Sequence, residues 1–127
     1  MERRQFIAAA GAATLVGANA NAQPEAKAMY GLIGRMTAVS GQRDALAQIL
    51  LEGVSGMPGC LSYVVAIDPA DADALWITEV WDSQESHQAS LALPSVREAI
   101  ARGRPLIAGM GPHTVTTPLG GHGLTAG

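Results

Sequence analysis

From Tyr30 onward the apolar positions alternate between a period of two and a period of three to four. Tyr30 to Thr37 predicts a strand whose apolar content is Leu32, Ile33 and Met36. Arg35 lies inside it, placed to face a partner or a cavity. Ser40-Gly41 breaks the chain. Leu46, Ile49, Leu50 and Val54 then recur at helical spacing, with Arg43, Asp44, Gln48 and Glu52 polar, which predicts a helix from Gln42 to Val54 capped by Ser40. Gly56-Met57-Pro58-Gly59 turns the chain into a second strand, Leu61 to Ile67, with Leu61, Tyr63, Val65 and Ile67 on one face. A third strand, Ala74 to Asp82, places Leu75, Ile77, Glu79 and Trp81 on one face and Trp76, Thr78 and Val80 on the other.

Ser83 suits the N-cap of a helix reaching Leu91, and Pro94 the first turn of another, Ser95 to Arg102. A last strand is predicted over His113 to Thr117, ahead of a glycine-rich tail. Strand, helix, strand, strand, helix, strand is the order of two split βαβ units, an α+β ferredoxin-like arrangement. It folds as a four-stranded antiparallel sheet with helices on one face. Apolar residues on both faces of the middle strands would leave an exposed patch on a lone domain, so a homodimer with sheets packed face to face is expected.

The first residues follow a different pattern. Arg3-Arg4 precedes an apolar run of small residues, Ala8 to Ala18, and Ala20-Asn21-Ala22 resembles a cleavage site. Residues 1–22 are therefore expected to be a signal peptide and 23–29 a linker. The domain is expected over 30–117, with a flexible tail over 118–127. Arg3-Arg4-Gln5-Phe6-Ile7 resembles the twin-arginine export signal, with Glu2 in place of the usual Ser or Thr. A periplasmic or otherwise exported protein follows from that expectation. The apolar run is short of the roughly 20 residues that a membrane span needs.

Composition narrows the function classes. Eight Lys and Arg face eleven Asp and Glu; without Arg3, Arg4 and Glu2, six face ten, a formal charge of −4. That acidic balance, without a basic cluster, argues against a nucleic-acid surface. Cys60 is the only cysteine and cannot form an internal disulfide. His113 and His122 are too far apart, in too flexible a stretch, to suggest a metal site.

Several segments in this order resemble one family. They are Tyr30-Gly-Leu-Ile, Ser40-Gly41-Gln-Arg-Asp44, Met57-Pro58-Gly59-Cys60-Leu-Ser-Tyr63, Trp76-Ile-Thr-Glu79-Val-Trp81-Asp82-Ser and Leu93-Pro94-Ser-Val. The chain from about 29 to 117 is similar to the antibiotic biosynthesis monooxygenase domain, including its quinol-monooxygenase-like members. The resemblance implies a dimeric α+β barrel. It also implies, for some members, oxygenation of a quinol or polycyclic aromatic without metal or flavin, and the mature sequence carries no metal, flavin or nucleotide motif. Haem-degrading relatives use an Asn, a Trp and a His at places that hold Gly34, Ser90 and Ile100 here. Haem degradation is thus not implied. Ser90 also stands near where relatives often carry a histidine.

Such chemistry needs an apolar pocket, a group that accepts a phenolic proton, and donors for a developing oxyanion. His87, the one histidine within the regular elements as predicted apart from the last strand, is the candidate base, or else a surface or capping residue. Glu79 is the second catalytic candidate. Its apolar face requires a partner, of which Arg35 is one, and a structural ion pair or dimer contact is the other reading. Arg35, Tyr63, Trp76 and Trp81 are the candidate substrate-binding residues. The two tryptophans occupy opposite faces, so at most one lines a given cavity. The competing class is a non-catalytic small-molecule-binding or interaction protein on the same fold.

Overall fold

The structure is a computed structural model that describes residues 28–124; the expected signal peptide and most of the linker lie outside the described residues. Strand β1 spans Tyr30–Ala38 and helix α1 spans Arg43–Gly53. Strands β2 and β3 span Cys60–Ile67 and Ala74–Trp81. Helices α2 (Gln84–Ser90) and α3 (Pro94–Gly103) follow, then a 3₁₀ turn, Arg104–Leu106, and strand β4, Ile107–Thr116.

The sheet order is β2-β3-β1-β4, with every neighbour antiparallel. Leu32 pairs with Glu79 and Met36 with Leu75, while Val65 pairs with Ile77. Period-two alternation therefore puts these side chains on one face. Leu46 of α1 packs there against Ala38, Leu75 and Ile77, all buried. The α2 helix starts where expected, with Ser83 Oγ accepting the Ser86 amide at 3.1 Å. Helix α3 begins at Pro94, whose missing N–H costs nothing in a first turn.

Three local expectations change. Helix α1 is entered through Gln42, without a side-chain cap, because Ser40 lies in the preceding turn. Leu61 stands at a register shift between Cys60 and Ser62, outside simple alternation. The last strand begins six residues earlier than His113, at Ile107. Gly109, Gly111 and Pro112 hide that half from a propensity argument, but β4 is an edge strand, where proline and a bulge are tolerated.

Among the described residues no helix covers the second sheet face. Ile33, Val64 and Trp76 lie on it at 38%, 50% and 36% exposure. Among the described residues no helix is long and apolar enough to cross a membrane.

Candidate functional site

Between the sheet and the helices lies a cavity of ≈ 470 Å³. Met36, Tyr63, Glu79 and Trp81 form its sheet wall, and Leu46 and Leu50 of α1 face them. His87, Ser90 and Leu91 come from the α2 end, Ile100 from α3. Beside it α1 and α3 approach closely at small residues: a Cβ on Gly53 would fall 2.5 Å from that of Ala99. Ligand pockets commonly measure about 300–1,000 Å³, mostly apolar with a few convergent polar groups.

Those polar groups cluster on one side. Trp81 Nε1 donates to Glu79 Oε1 at 2.9 Å. His87 Nε2 stands 3.9 Å from the same oxygen, too long for a direct hydrogen bond but close enough for charge to matter. The imidazole is held mainly by rings: Tyr30 lies 5.3 Å away, and Trp81 meets it edge-on at 5.4 Å. His87 Nδ1 is buried and has no hydrogen-bond partner among the described residues. Ser90 Oγ, in contrast, is turned onto the His87 carbonyl and donates to it at 2.6 Å.

Tyr63 is the strand neighbour of Glu79. Burial pushes its phenol far above the usual value, and the Glu79 carboxylate and then the Cys60 thiol push it further. It therefore stays a protonated donor at any physiological pH. Burial also raises the Cys60 thiol, which keeps it from being a thiolate nucleophile. The cysteine is half-buried and its Sγ leans on the Ser62 carbonyl at 3.6 Å.

Four of the six sequence candidates, His87, Glu79, Tyr63 and Trp81, come together in this cavity. Arg35 and Trp76 do not line it. Arg35 pairs with Trp76 across β1 and β3, on the uncovered face, so it cannot be the partner of Glu79. Its guanidinium is committed to Asp71 Oδ2 at 2.8 Å and Asp68 Oδ2 at 3.4 Å. Trp76 Nε1 donates to that same Asp68 oxygen at 3.1 Å. Hydrogen bonds from the Ala70 amide and the Trp76 indole are the leading causes that hold the Asp68 carboxyl below its usual range. These residues brace the β2–β3 turn, where Arg43 of α1 also donates to the carbonyl of Asp71 at 2.9 Å. Among the described residues no group of three His, Cys, Asp or Glu side chains is arranged to hold a metal ion.

Sequence reasoning passed over Tyr30 as a site residue, though its pairing with Trp81 places it beside His87. Met57, Ile100 and Met110 were missed as lining because their elements meet only in the folded chain.

The family model for antibiotic biosynthesis monooxygenase matches residues 29–102. The chain belongs to this family. A solved structure of a candidate antibiotic biosynthesis monooxygenase from Chloroflexus aurantiacus J-10-fl is 70% identical, with a TM-score of 0.75, covering 76% of this chain and 99% of that one. A candidate family member from Nitrosomonas europaea is 12% identical at TM-score 0.66, covering 76% of this chain and 96% of that one. Another, from Caulobacter crescentus CB15, is 16% identical at TM-score 0.62, with coverage of 72% and 88%. Both of these share the fold alone. No curated protein matches the chain. The family match covers every element from β1 through most of α3, and thus the Glu79, Trp81 and His87 cluster.

Proposed function

We propose that this protein is a monooxygenase that acts on a quinol or related aromatic and draws its reducing equivalents from the substrate. The observation that carries this reading is the concentration of Glu79, His87 and Tyr63 at one side of an otherwise apolar cavity of ≈ 470 Å³. A flat ring fills the apolar part, and its hydroxyl meets the polar side. His87, with Glu79 to stabilise the imidazolium that results, takes the phenolic proton. The partly buried Tyr63 hydroxyl donates to the oxygen that gathers charge. The electron-rich anion then reduces O₂. In balance, a quinol and O₂ give a hydroxyquinone and water: one oxygen atom enters the ring and the other leaves as water. The substrate supplies all four electrons, so the net reaction asks for no external reductant.

Oxygen uptake with a panel of hydroquinones and hydroxynaphthalenes tests the reading. Saturable uptake above that of heat-inactivated protein supports it, and none across the panel removes it. A non-catalytic binding protein is the second reading, favoured by Ser90, whose hydroxyl is spent on a backbone carbonyl near where relatives often present a histidine. Saturable ligand binding without uptake would select it.

The working unit in this proposal is a homodimer, supported by the uncovered sheet face bearing Ile33, Val64 and Trp76. The chain is further proposed to be exported through its Arg3-Arg4 signal and cleaved after Ala22, a reading that rests on sequence alone.

A further inference from the structure

A smaller recess of ≈ 130 Å³ adjoins the main cavity and shares Met36, Tyr63, Glu79 and Met110 with it. At about 30 Å³ for each water-sized group, it has room for a hydroxyl and the ring edge that carries it. Its distinctive wall is built by an irregularity in β4. Gly34 pairs with His113 and Met36 with Met110, so two residues along β1 correspond to three along β4. Without the extra residue, Met110 and His113 would point to opposite faces; with it, both point toward the helices. Gly34 lies across from the imidazole: a Cβ there would make an ordinary van der Waals contact, 3.8 Å from His113 Nδ1, and a larger side chain would reach further into the recess. Glu79 thus borders both lobes, with His87 lining the larger and His113 the smaller.

We infer that His113 is a specificity-determining residue of this site, receiving a second oxygen of an aromatic diol in the recess opened by the β4 bulge and Gly34. The inference rests on the aromatic-substrate reading above but not on oxygenation. A ring hydroxyl held at the Glu79–His87 side leaves a second oxygen on the same ring to be satisfied. An imidazole serves either as donor or as acceptor for it. His113 is exposed, so water satisfies it in the free protein, and the diol is favoured by the net worth of the hydrogen bond that the analogue lacks.

The test is anaerobic titration of tryptophan fluorescence with 1,4-dihydroxynaphthalene and with 1-naphthol. His113→Phe should weaken the diol by about three- to tenfold and 1-naphthol by less than about twofold, while His113→Asn should recover most of the loss. Gly34→Val, which fills the recess from the opposite strand, should show the same selective loss. Because His113 is exposed, its variants should melt as the wild type does. Equal effects on both compounds, no effect on either, or no binding of either by the wild type would overturn the inference. Oxygen uptake separates the two ideas. Uptake by the wild type with discrimination unchanged in His113→Phe removes the role of His113 alone. Lost discrimination with no uptake removes the oxygenase reading alone.

Discussion

Glu79 Oε1 accepts the Trp81 indole N–H at 2.9 Å while His87 Nε2 waits 3.9 Å from the same atom. The carboxyl group is thus oriented by one neighbour and available to the other. If His87 accepts the substrate proton, His87→Ala should lower kcat by about 10² or more with KM changed little. Glu79→Gln keeps the size and the acceptor oxygen but removes the charge that supports an imidazolium. It should lower kcat with KM changed little. Steady-state oxygen uptake from pH 5 to 9 measures both.

Tyr63 predicts a loss of stability in alkali. Its phenol titrates well above the unfolded value of about 10, so above that pH the unfolded chain loses a proton that the folded chain retains. Stability is fully present below about pH 10 and falls as pH rises beyond it. Cys60 contributes in the same direction from about pH 8.5. Tyr63→Phe should flatten the slope of unfolding free energy between pH 10 and 11, as read by urea melts.

The uncovered sheet face predicts association. Val64→Glu, half-exposed on that face, should shift the species seen by light scattering at micromolar concentration from dimer to monomer. Burying an unpaired carboxylate in such an interface is strongly unfavourable. A wild-type monomer under the same conditions would contradict the proposed assembly.

Gly41 and Gly59 share nearly the same backbone, at φ 80° and 82°, but not the same surroundings. A Cβ at Gly41 meets nothing within 4 Å, whereas at Gly59 it would collide with the Ser86 side chain and approach Asp82 Oδ1 at 2.8 Å. Gly41→Ala should cost about 1–2 kcal/mol from backbone conformation alone. Gly59→Ala should cost clearly more, since the N-terminus of α2 must also move. Paired thermal melts report the difference.

Export is tested separately. Changing Arg3 and Arg4 to Lys should abolish translocation if the signal is of the twin-arginine type, and the secreted protein should begin at Gln23 by N-terminal sequencing.

Strong periodicity made much of this architecture legible. The alternation of Leu75, Ile77, Glu79 and Trp81 correctly separated the two faces of β3, and with them Trp81 from Trp76. What alternation within one strand does not reveal is register between strands. Only the pairing of Arg35 with Trp76, and of Leu32 with Glu79, shows that Arg35 and Glu79 occupy opposite faces. The first half of β4 was hidden because Gly109, Gly111 and Pro112 are poor strand formers that only an edge tolerates. His113 shows the same limit from another side. A bulge reassigns the face of every residue beyond it, and no local pattern announces it.

Under the proposed function, the cavity would make the fold's melting point responsive to its contents. A ligand of the right shape in this cavity of ≈ 470 Å³ would add packing contacts with the side chains that line it. A compound that binds only the folded chain, at one hundred times its Kd, adds about 2.7 kcal/mol to stability. For a domain of this size that corresponds to a rise in Tm of about 10–20 °C. If the cavity takes a ligand as proposed, the heat resistance of this protein depends on the small molecules around it, and a melting curve would report the ligand before any turnover is seen.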